Sequence, residues 1–232
     1  MGCNVLVDAG IKHMYHVAPL QYLVFYLRSL QLQSKSILLK DYQDTHFRSS
    51  SKNVDIKRGF CDVVHCTNNE FPPILISKLN KGYQHMEICI DTGVLQEKDY
   101  ILCKYNIAKN RGLFSESILS GRCYDDFKIP VAVNIEEKRA LLSSIPINTH
   151  IEILVRQRIN LPDTTIFRFF SDEDADLADR YFNKMDVTFG IKVINHSFDY
   201  YVHPHRKATV ENYLETAYAN IDWKGNGLEF DR

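Results

Sequence analysis

The sequence predicts an α+β protein built around one core, and three observations indicate this class. Segments with strand character are concentrated in the middle of the chain, and segments with helical spacing lie on both sides of them. No internal repeat or low-complexity linker divides the chain. At 232 residues, with 45% hydrophobic and 25% charged residues, the chain is long enough to bury a sizeable core.

The first third of the chain predicts a strand that runs into a helix, followed by a long loop. The apolar "HMYHV" is a short strand segment, and "APLQYLVFYLRSLQLQ" carries apolar residues at helical spacing. Residues 34–60 are rich in Ser, Lys, Asp and Arg, which predicts a largely irregular crossing on the surface. "PPILISKLNKG" has the opening proline and closing glycine of a short helix, between the strand candidates "CDVVHCT" and "HMEICID".

The remainder of the chain alternates further strands with two helices. Strands are predicted for "YILCKYNIA", "IPVAVNI", "IEILVRQRI" and "TTIFRFF". Acids in the first turn of "SDEDADLADRYFNKM" favour a helix there. "GIKVINH" then predicts a strand and "TVENYLETAYANI" an amphipathic helix, so residues 186–232 are expected to form an extension of the main domain.

Composition argues against several classes of protein. No apolar run reaches the eighteen or so residues that cross a bilayer, so we expect a cytoplasmic protein that does not enter membranes. The six cysteines lack Cys-x-x-Cys pairs, and the histidines at 196, 203 and 205 match no metal spacing, so we expect reduced thiols and no metal. The net charge of −1 means that any nucleic-acid site must come from local clusters.

One carboxylate stands inside a predicted strand. Alternation in "HIEILVRQRINL" gives an apolar face and a second face formed by Glu152, Leu154 and Arg156. An ionised group in a strand is costly unless its side chain faces a cleft or is paired. Two interpretations are therefore open: a solvated face with a contact between Glu152 and Arg156, or a carboxylate that works in a cleft.

Four segments, taken in order, carry a family resemblance. They are "MYHVAPLQYLVFYL", "SSKNVDIKRG", "FCDVVHCTNNEFPPIL" with Asp62 and Pro73 as anchors, and "HIEILVRQRINL". They resemble the opening Tyr-His strand and helix, the NAD-binding arginine segment, the Asp-Tyr-Val-Pro-Phe-Tyr-Phe segment and the catalytic glutamate segment of the DarT family of DNA ADP-ribosyltransferase toxins. Together they cover roughly residues 12 to 170.

The resemblance implies a fold, an activity and partners. The expected fold is ADP-ribosyltransferase-like, with central, strongly curved or split mixed β-sheets and flanking helices. Residues 1–185 would form the catalytic domain, and 186–232 a C-terminal extension packed on it. The expected activity transfers ADP-ribose from NAD, as co-substrate, to a base of single-stranded DNA. The family implies a toxin of a toxin–antitoxin or phage-defence system, with an antitoxin that has macrodomain-type ADP-ribosyl hydrolase activity.

The resemblance also implies roles for particular residues. Glu152 matches the catalytic glutamate, and Arg58 matches the arginine that binds NAD. A guanidinium suits bidentate binding of a pyrophosphate, although Arg58 could also be an ordinary surface arginine. His16, Asn53 and Asp62 are the further NAD-binding candidates. A structural role with satisfied hydrogen bonds is the alternative for His16.

The acceptor is expected to meet the residues around Glu152. His150, two residues before the acid, is a candidate to bind or deprotonate the acceptor base, and the preceding "EEKRALLSSIPINTH" is expected to be a loop that selects the acceptor. Basic residues suggest a track for a single-stranded backbone: Arg48, Lys52, Lys138, Arg139, Arg156 and Arg158. Interleaved acids leave a solvated mixed surface as the alternative.

The third segment departs from the family pattern. Its aromatic positions are occupied here by Val63, Cys66, Thr67 and Asn68, which puts stacking against nicotinamide or a target base in doubt. The departure keeps two alternatives open. One is an ADP-ribosyltransferase that modifies RNA or protein, and the other is a catalytically inactive module that binds NAD or nucleic acid.

Overall fold

Ten strands and seven α-helices make up the parts of the chain that the computed structural model describes, namely residues 4–42, 60–96, 99–104, 131–146, 149–194, 202 and 204–220. The strands are β1 (His13–Pro19), β2 (Gln31–Gln33), β3 (Val63–Thr67), β4 (His85–Asp91), β5 (Tyr100–Lys104), β6 (Val131–Ala132), β7 (Ile151–Arg156), β8 (Arg158–Asn160), β9 (Ile166–Phe169) and β10 (Gly190–Val193). The helices are α1 (Val5–Asp8), α2 (Leu23–Ser29), α3 (Lys35–Asp41), α4 (Pro73–Leu79), α5 (Ile135–Ser143), α6 (Asp172–Lys184) and α7 (Pro204–Asn220).

Eight of the strands form one open, mixed sheet in the order β10-β9-β4-β1-β3-β7-β5-β6. Every neighbouring pair is antiparallel except β9 and β10. Strands β1 and β3 share a single register pair, Tyr15 with Thr67, whereas β3 pairs with β7 along its whole length. The sheet is thus split at its centre, and the predicted α+β class with a mixed sheet and flanking helices is confirmed.

The main core lies on one face of this sheet. All residues of α2 from Leu23 to Leu27 are buried there, beside Tyr181 and Phe182 of α6 and Leu214 of α7. The sheet contributes the apolar positions of alternating strands, among them Ile88, Ile153 and Phe167. Burial of each such side chain stabilises the fold by roughly 1.5–3 kcal/mol.

Helix α2 is shorter than its apolar spacing predicts. The chain leaves the helix at Leu30, whose φ of 49° lies in the left-handed region, and then forms β2. Strand β2 pairs with β8, and Leu32 at its centre is fully buried. Gln157, with a φ of 56°, separates β7 from β8 and so makes this pairing possible. Tertiary strand pairing has therefore overridden the local helical preference.

Two stretches expected to be irregular contain helices. Lys35–Asp41 is helical, within the predicted long surface loop, whose residues 43–59 lie outside the described part of the chain. The segment before Glu152, predicted as an acceptor loop, contains α5 instead. Asn134 and Glu137 form a capping box at its start, since each side chain accepts a hydrogen bond from the other's backbone amide. That reciprocal cap explains why this segment is a helix.

The C-terminal segment contributes to the same sheet and core. Strand β10 pairs with β9 in parallel, and Leu214 and Ala217 of α7 join the core cluster. The division after residue 185 stays a prediction.

None of the helices in the described residues is long and apolar enough to span a membrane. The described cysteines, Cys61, Cys66, Cys89 and Cys103, are free thiols as predicted.

The opposite face of the sheet holds an ionic network in which Arg168 and Glu87 are buried and Glu70 is exposed. Arg168 donates to Glu87 at 3.1 Å and to Glu70 at 3.1 Å, and Tyr15 donates to Glu70 at 2.9 Å. Glu87 also accepts from the backbone amide of Phe71 at 2.8 Å. Burial raises the pKa of Glu87, whereas the Phe71 amide and Arg168 act to lower it. The network ties β9, β4 and β1 to the loop that follows β3.

Replacing Arg168 by methionine should lower the free energy of unfolding by about 3–5 kcal/mol, because Glu87 would be left buried without its cation. Urea denaturation at neutral pH measures the change. Arg180→Met is the matched control, since Arg180 forms an exposed pair with Glu211 at 3.9 Å and should cost less than about 1 kcal/mol. Equal losses in the two variants would contradict a structural role for the network.

Candidate active site around Glu152

Glu152 is a buried carboxylate in the middle of the sheet. It lies on β7 and pairs with Thr67 of β3 on one side and Cys103 of β5 on the other. The residue is 7% exposed, and its Oε1 accepts a hydrogen bond from Nδ1 of His65 at 2.9 Å. The interpretation of Glu152 as part of a solvated strand face is therefore wrong. Its charge is held by a specific donor.

His65 links Glu152 to the place where the sheet splits. Its side chain, on β3, is 32% exposed and donates to Glu152, so its Nδ1 carries the proton. Its backbone carbonyl accepts from Nδ1 of His16 at 2.8 Å. His16 thus reaches across the gap between β1 and β3 and bonds the backbone of the residue that holds Glu152.

Both ring nitrogens of His16 have partners within the protein. Nδ1 donates to the His65 carbonyl, so Nε2 is the acceptor for the hydroxyl of Tyr26 on α2, at 3.3 Å. Burial lowers the pKa of His16 to about 4, which keeps the ring neutral at neutral pH. These contacts favour the structural interpretation of His16, and its predicted contact with NAD stays a prediction.

His150 lies beside the strand partner of Glu152. Its Nδ1 is 3.1 Å from Oγ1 of Thr67, and Thr67 is paired with Glu152. The structure therefore places His150, which is predicted to contact the acceptor, beside the strand pair that contains the predicted catalytic residue Glu152. A proton-transferring imidazole at this place would have the hydroxyl of Thr67 to fix its orientation.

Asn68 anchors the start of β7. Its Oδ1 accepts from the amide of Ile151 at 2.8 Å, and its Nδ2 donates to the carbonyl of Thr149 at 3.0 Å. The backbone amide of Asn68 also donates to the carbonyl of Ile151 at 3.3 Å. The segment from Thr149 to Ile151, which these hydrogen bonds hold, contains His150 and leads directly into Glu152. Asn68 therefore positions both side chains.

A row of side chains crosses this face of the sheet at the level of Glu152. Register pairs connect Cys103, Glu152, Thr67, Tyr15 and Cys89. Since neighbouring strands lie about 4.8 Å apart, Tyr15 is roughly 10 Å from Glu152. The row therefore joins the surroundings of Glu152 to the ionic network of Arg168.

The thiols near Glu152 are held in the protonated form. Burial, followed by the negative charge of Glu152, raises the pKa of Cys103 and that of Cys66. A protonated thiol is a weak nucleophile and a weak metal ligand. Within the described residues, no group of three or more His, Cys, Asp and Glu side chains could hold a metal ion.

The other predicted site residues are more scattered. Asp62 is exposed at the end of β3 opposite to Thr67, where its carbonyl accepts from the amide of Gln157 at 2.7 Å. Asp62 is exposed and lies at the other end of β3, so it does not belong to the cluster of side chains around Glu152. The predicted residues Arg48, Lys52, Asn53 and Arg58 lie outside the described residues.

Of the four described basic residues that were predicted to contact a nucleic-acid strand, three are exposed and one is not. Arg139, Arg156 and Arg158 are exposed, on α5, β7 and β8. Lys138 is completely buried, with Nζ 3.8 Å from the ring centroid of Tyr100. A buried ammonium over an aromatic ring cannot reach a phosphate, so the prediction for Lys138 is wrong.

Sequence reasoning missed His65 and Asn68. Alternation in "CDVVHCT" could have placed His65 on one face of a strand, but only the pairing of β3 with β7 brings it to Glu152. That pairing joins residues far apart in the chain, and the sequence pattern does not specify it. Asn68 was noted only as the replacement of an aromatic residue.

The comparisons with known proteins identify the fold. No protein-family model matches the chain, and no curated protein matches its sequence. Thermus sp. 2.9 DarT in complex with ADP-ribosylated ssDNA matches in structure with a TM-score of 0.53 at 12% identity, over 83% of this chain and 97% of that one. The same protein in complex with NAD+ gives a TM-score of 0.46 at 11% identity, over 79% and 95% of the two chains.

A third match is Thermosipho africanus DarTG in complex with ADP-ribose, with a TM-score of 0.47 at 10% identity, over 78% of this chain and 50% of that one. The likeness to the first Thermus structure shows that this chain has a DarT-like fold. The predicted ADP-ribosyltransferase-like fold is thereby confirmed.

Replacing Asn68 by alanine should release the segment that carries His150. The loss of two hydrogen bonds should lower the free energy of unfolding by roughly 1–3 kcal/mol and speed hydrogen exchange at the Ile151 amide. Urea denaturation and amide exchange measure the two effects. Asn69→Ala is the control, because Asn69 bonds Thr67 through its backbone amide. Similar exchange at Ile151 in both variants would show that Asn68 does not anchor β7.

Proposed function

We propose that this chain is an NAD-consuming ADP-ribosyltransferase that transfers ADP-ribose to a base of single-stranded DNA. One observation carries the proposal: Glu152 is a buried carboxylate, held by His65, on a central strand of a DarT-like fold. The Thermus protein with this fold is in complex with ADP-ribosylated ssDNA. The four sequence segments that resemble the DarT family include the one that contains Glu152.

The chemistry requires a fixed negative charge. Cleavage of the bond between nicotinamide and ribose develops positive charge at the anomeric carbon, as in the oxocarbenium-like transition state of glycoside hydrolysis. A carboxylate on a rigid strand stabilises that charge without reorganising, and it can also accept a hydrogen bond from the ribose 2′-hydroxyl. Glu152 meets both requirements, because strands on either side and the His65 donor fix its position.

The proposal assigns NAD binding to residues on the first half of the chain. The guanidinium of Arg58 would bind the pyrophosphate in a bidentate manner, with Asn53, Asp62 and His16 as further candidates. Of these, His16 is connected to Glu152 through His65, whose backbone carbonyl it bonds. Its bonds to His65 and Tyr26 mean that it would act on NAD only through a rearranged contact.

The acceptor would approach from the side of His150. An imidazole beside Thr67 can accept a proton from a base nitrogen as that nitrogen attacks the anomeric carbon. Exposed Arg156 and Arg158 would neutralise backbone phosphates, together with Arg139, Arg48 and Lys52. A single-stranded or flipped base is required, because a stacked base inside a duplex does not expose the reacting atom to the site.

A different acceptor is the second candidate function. The third segment holds Thr67 and Asn68 where the family has aromatic residues, and both of them bond protein groups around His150. Stacking of a base by this segment is therefore not supported, and an ADP-ribosyltransferase that modifies RNA or protein is kept as the alternative. A catalytically inactive module that binds NAD or nucleic acid is the remaining one.

The proposal extends to a biological role. Following the family resemblance, the protein would be the toxin of a toxin–antitoxin or phage-defence system. Its partner would be an antitoxin with macrodomain-type hydrolase activity, which removes the ADP-ribose again. A cytoplasmic location would suit both the use of NAD and access to DNA.

Substituting Glu152 by glutamine should reduce nicotinamide release from NAD by on the order of 10²–10³, because the amide carries no charge to oppose the developing cation. The assay incubates each protein with NAD labelled in its adenylate part and separate pools of single-stranded DNA, RNA and protein. The proposal expects label in the DNA pool with the wild-type protein.

Label in the RNA or protein pool would contradict DNA as the acceptor and support the alternative acceptor. Absence of both label and free nicotinamide would favour the inactive binding module. Growth of cells that express the two forms gives a second readout. A toxic wild type beside a harmless Glu152→Gln variant is expected, and equal toxicity would contradict the toxin role.

Replacing His150 by alanine should lower transfer to the acceptor more than NAD hydrolysis. The imidazole would act on the acceptor, whereas water can attack the anomeric carbon without it. Measuring labelled acceptor and free ADP-ribose in the same reaction separates the two activities. Equal losses of transfer and of NAD hydrolysis would show that His150 does not act on the acceptor.

A further inference from the structure

We propose that His65 is a positioning residue for Glu152, and that the hydrogen bond from its Nδ1 selects the carboxylate orientation that the reaction uses. This inference rests on the proposed function and deepens it. None of the motifs that carry the family resemblance assigns a role to this position. The argument comes from three contacts that converge on His65.

The first contact is the bond to the carboxylate. Nδ1 of His65 lies 2.9 Å from Oε1 of Glu152, which is within the usual range for a charge-assisted hydrogen bond. A glutamate side chain has three rotatable bonds, so a rigid strand fixes its Cα and leaves its carboxylate mobile. One donor at a fixed place removes most of that freedom. An unfixed carboxylate displaced by 1 Å can cost about 10²-fold in rate.

The second contact fixes the donor itself. The carbonyl of His65 accepts from Nδ1 of His16 at 2.8 Å. Strands β1 and β3 share one register pair, at Tyr15 and Thr67, so at His65 the side chain of His16 replaces a strand partner. The other nitrogen of His16 bonds Tyr26 of the buried helix α2.

The third contact lies on the opposite strand. His65 is paired with Leu154, and Val64 and Cys66 on either side of it are paired with Val155 and Ile153. Both flanking residues are buried in the main core. The backbone of His65 therefore cannot shift without disturbing the core. Only the two side-chain torsion angles of His65 remain to be fixed. Hydrogen bonds therefore link Tyr26 of α2 to His16, His16 to the backbone of His65, and the ring of His65 to Glu152.

Three variants at position 65 separate positioning from general stability. Asparagine carries a donor nitrogen on Cγ, in the place of Nδ1, whereas glutamine carries its donor one atom farther out, in the place of Nε2. His65→Ala and His65→Gln should lower kcat for nicotinamide release by about 10²-fold with little change in KM for NAD. The kcat of His65→Asn should lie within about tenfold of the wild-type kcat. Thermal unfolding of each variant monitors folding.

The same hydrogen bond can be observed without turnover. Imidazole ¹⁵N NMR on the wild-type protein should show a proton on Nδ1 of His65. In Glu152→Ala, the Nδ1 proton should exchange faster with water. A ring that lacks a proton on Nδ1, or a Glu152→Ala spectrum identical to the wild type, would overturn the positioning role whether or not the protein turns over NAD.

The kinetic outcomes distinguish this inference from the proposed function. An active wild type with a His65→Ala variant of equal kcat would overturn the positioning role and leave the proposed function intact. Equal recovery by asparagine and glutamine would overturn it too, because a merely structural polar residue would not distinguish the two donor positions. A folded wild type that releases no nicotinamide would overturn the proposed function and, with it, the role assigned to His65.

Discussion

A carboxylate inside a β-sheet must be given hydrogen bonds, and the arrangement around Glu152 follows from that constraint. The register between β3 and β7 supplies the solution, because it places Thr67 opposite Glu152 and His65 two residues away on the same face. A slip of one residue would turn one of the two strands over and place Glu152 and His65 on opposite faces of the sheet. The register is held by the apolar pairs on the other face, where Cys66 meets Ile153.

The split between β1 and β3 gives this sheet its functional potential. Where the two strands separate, side chains replace backbone pairing, as His16 does at the carbonyl of His65. On the far side of the split, Tyr15 and Arg168 are fixed by Glu70 and Glu87. Hydrogen bonds within the protein thus hold these described polar groups on either side of the split, which favours precise placement over adaptability.

The parts of the fold that depend on local pattern could be predicted from the sequence. Alternation placed Glu152 on the face opposite to Ile153, and the first-turn acids marked helix α6. The segment that begins at Glu136 was expected to be a loop, whereas the capping box of Asn134 and Glu137 starts a helix there. The parts that depend on distant pairing could not be predicted. Neither the contact of His65 with Glu152 nor the burial of Lys138 under Tyr100 leaves a local signal.

The central claim is that the carboxylate of Glu152 faces the ribosyl bond of NAD, and a crystal structure of the Glu152→Gln variant with NAD tests it most directly. This variant keeps the shape of the side chain and should preserve the dinucleotide. The account predicts the nicotinamide ribose within hydrogen-bond distance of the side chain at position 152, with His65 still in contact with that side chain. A dinucleotide bound elsewhere, or a nicotinamide ribose remote from position 152, would contradict it.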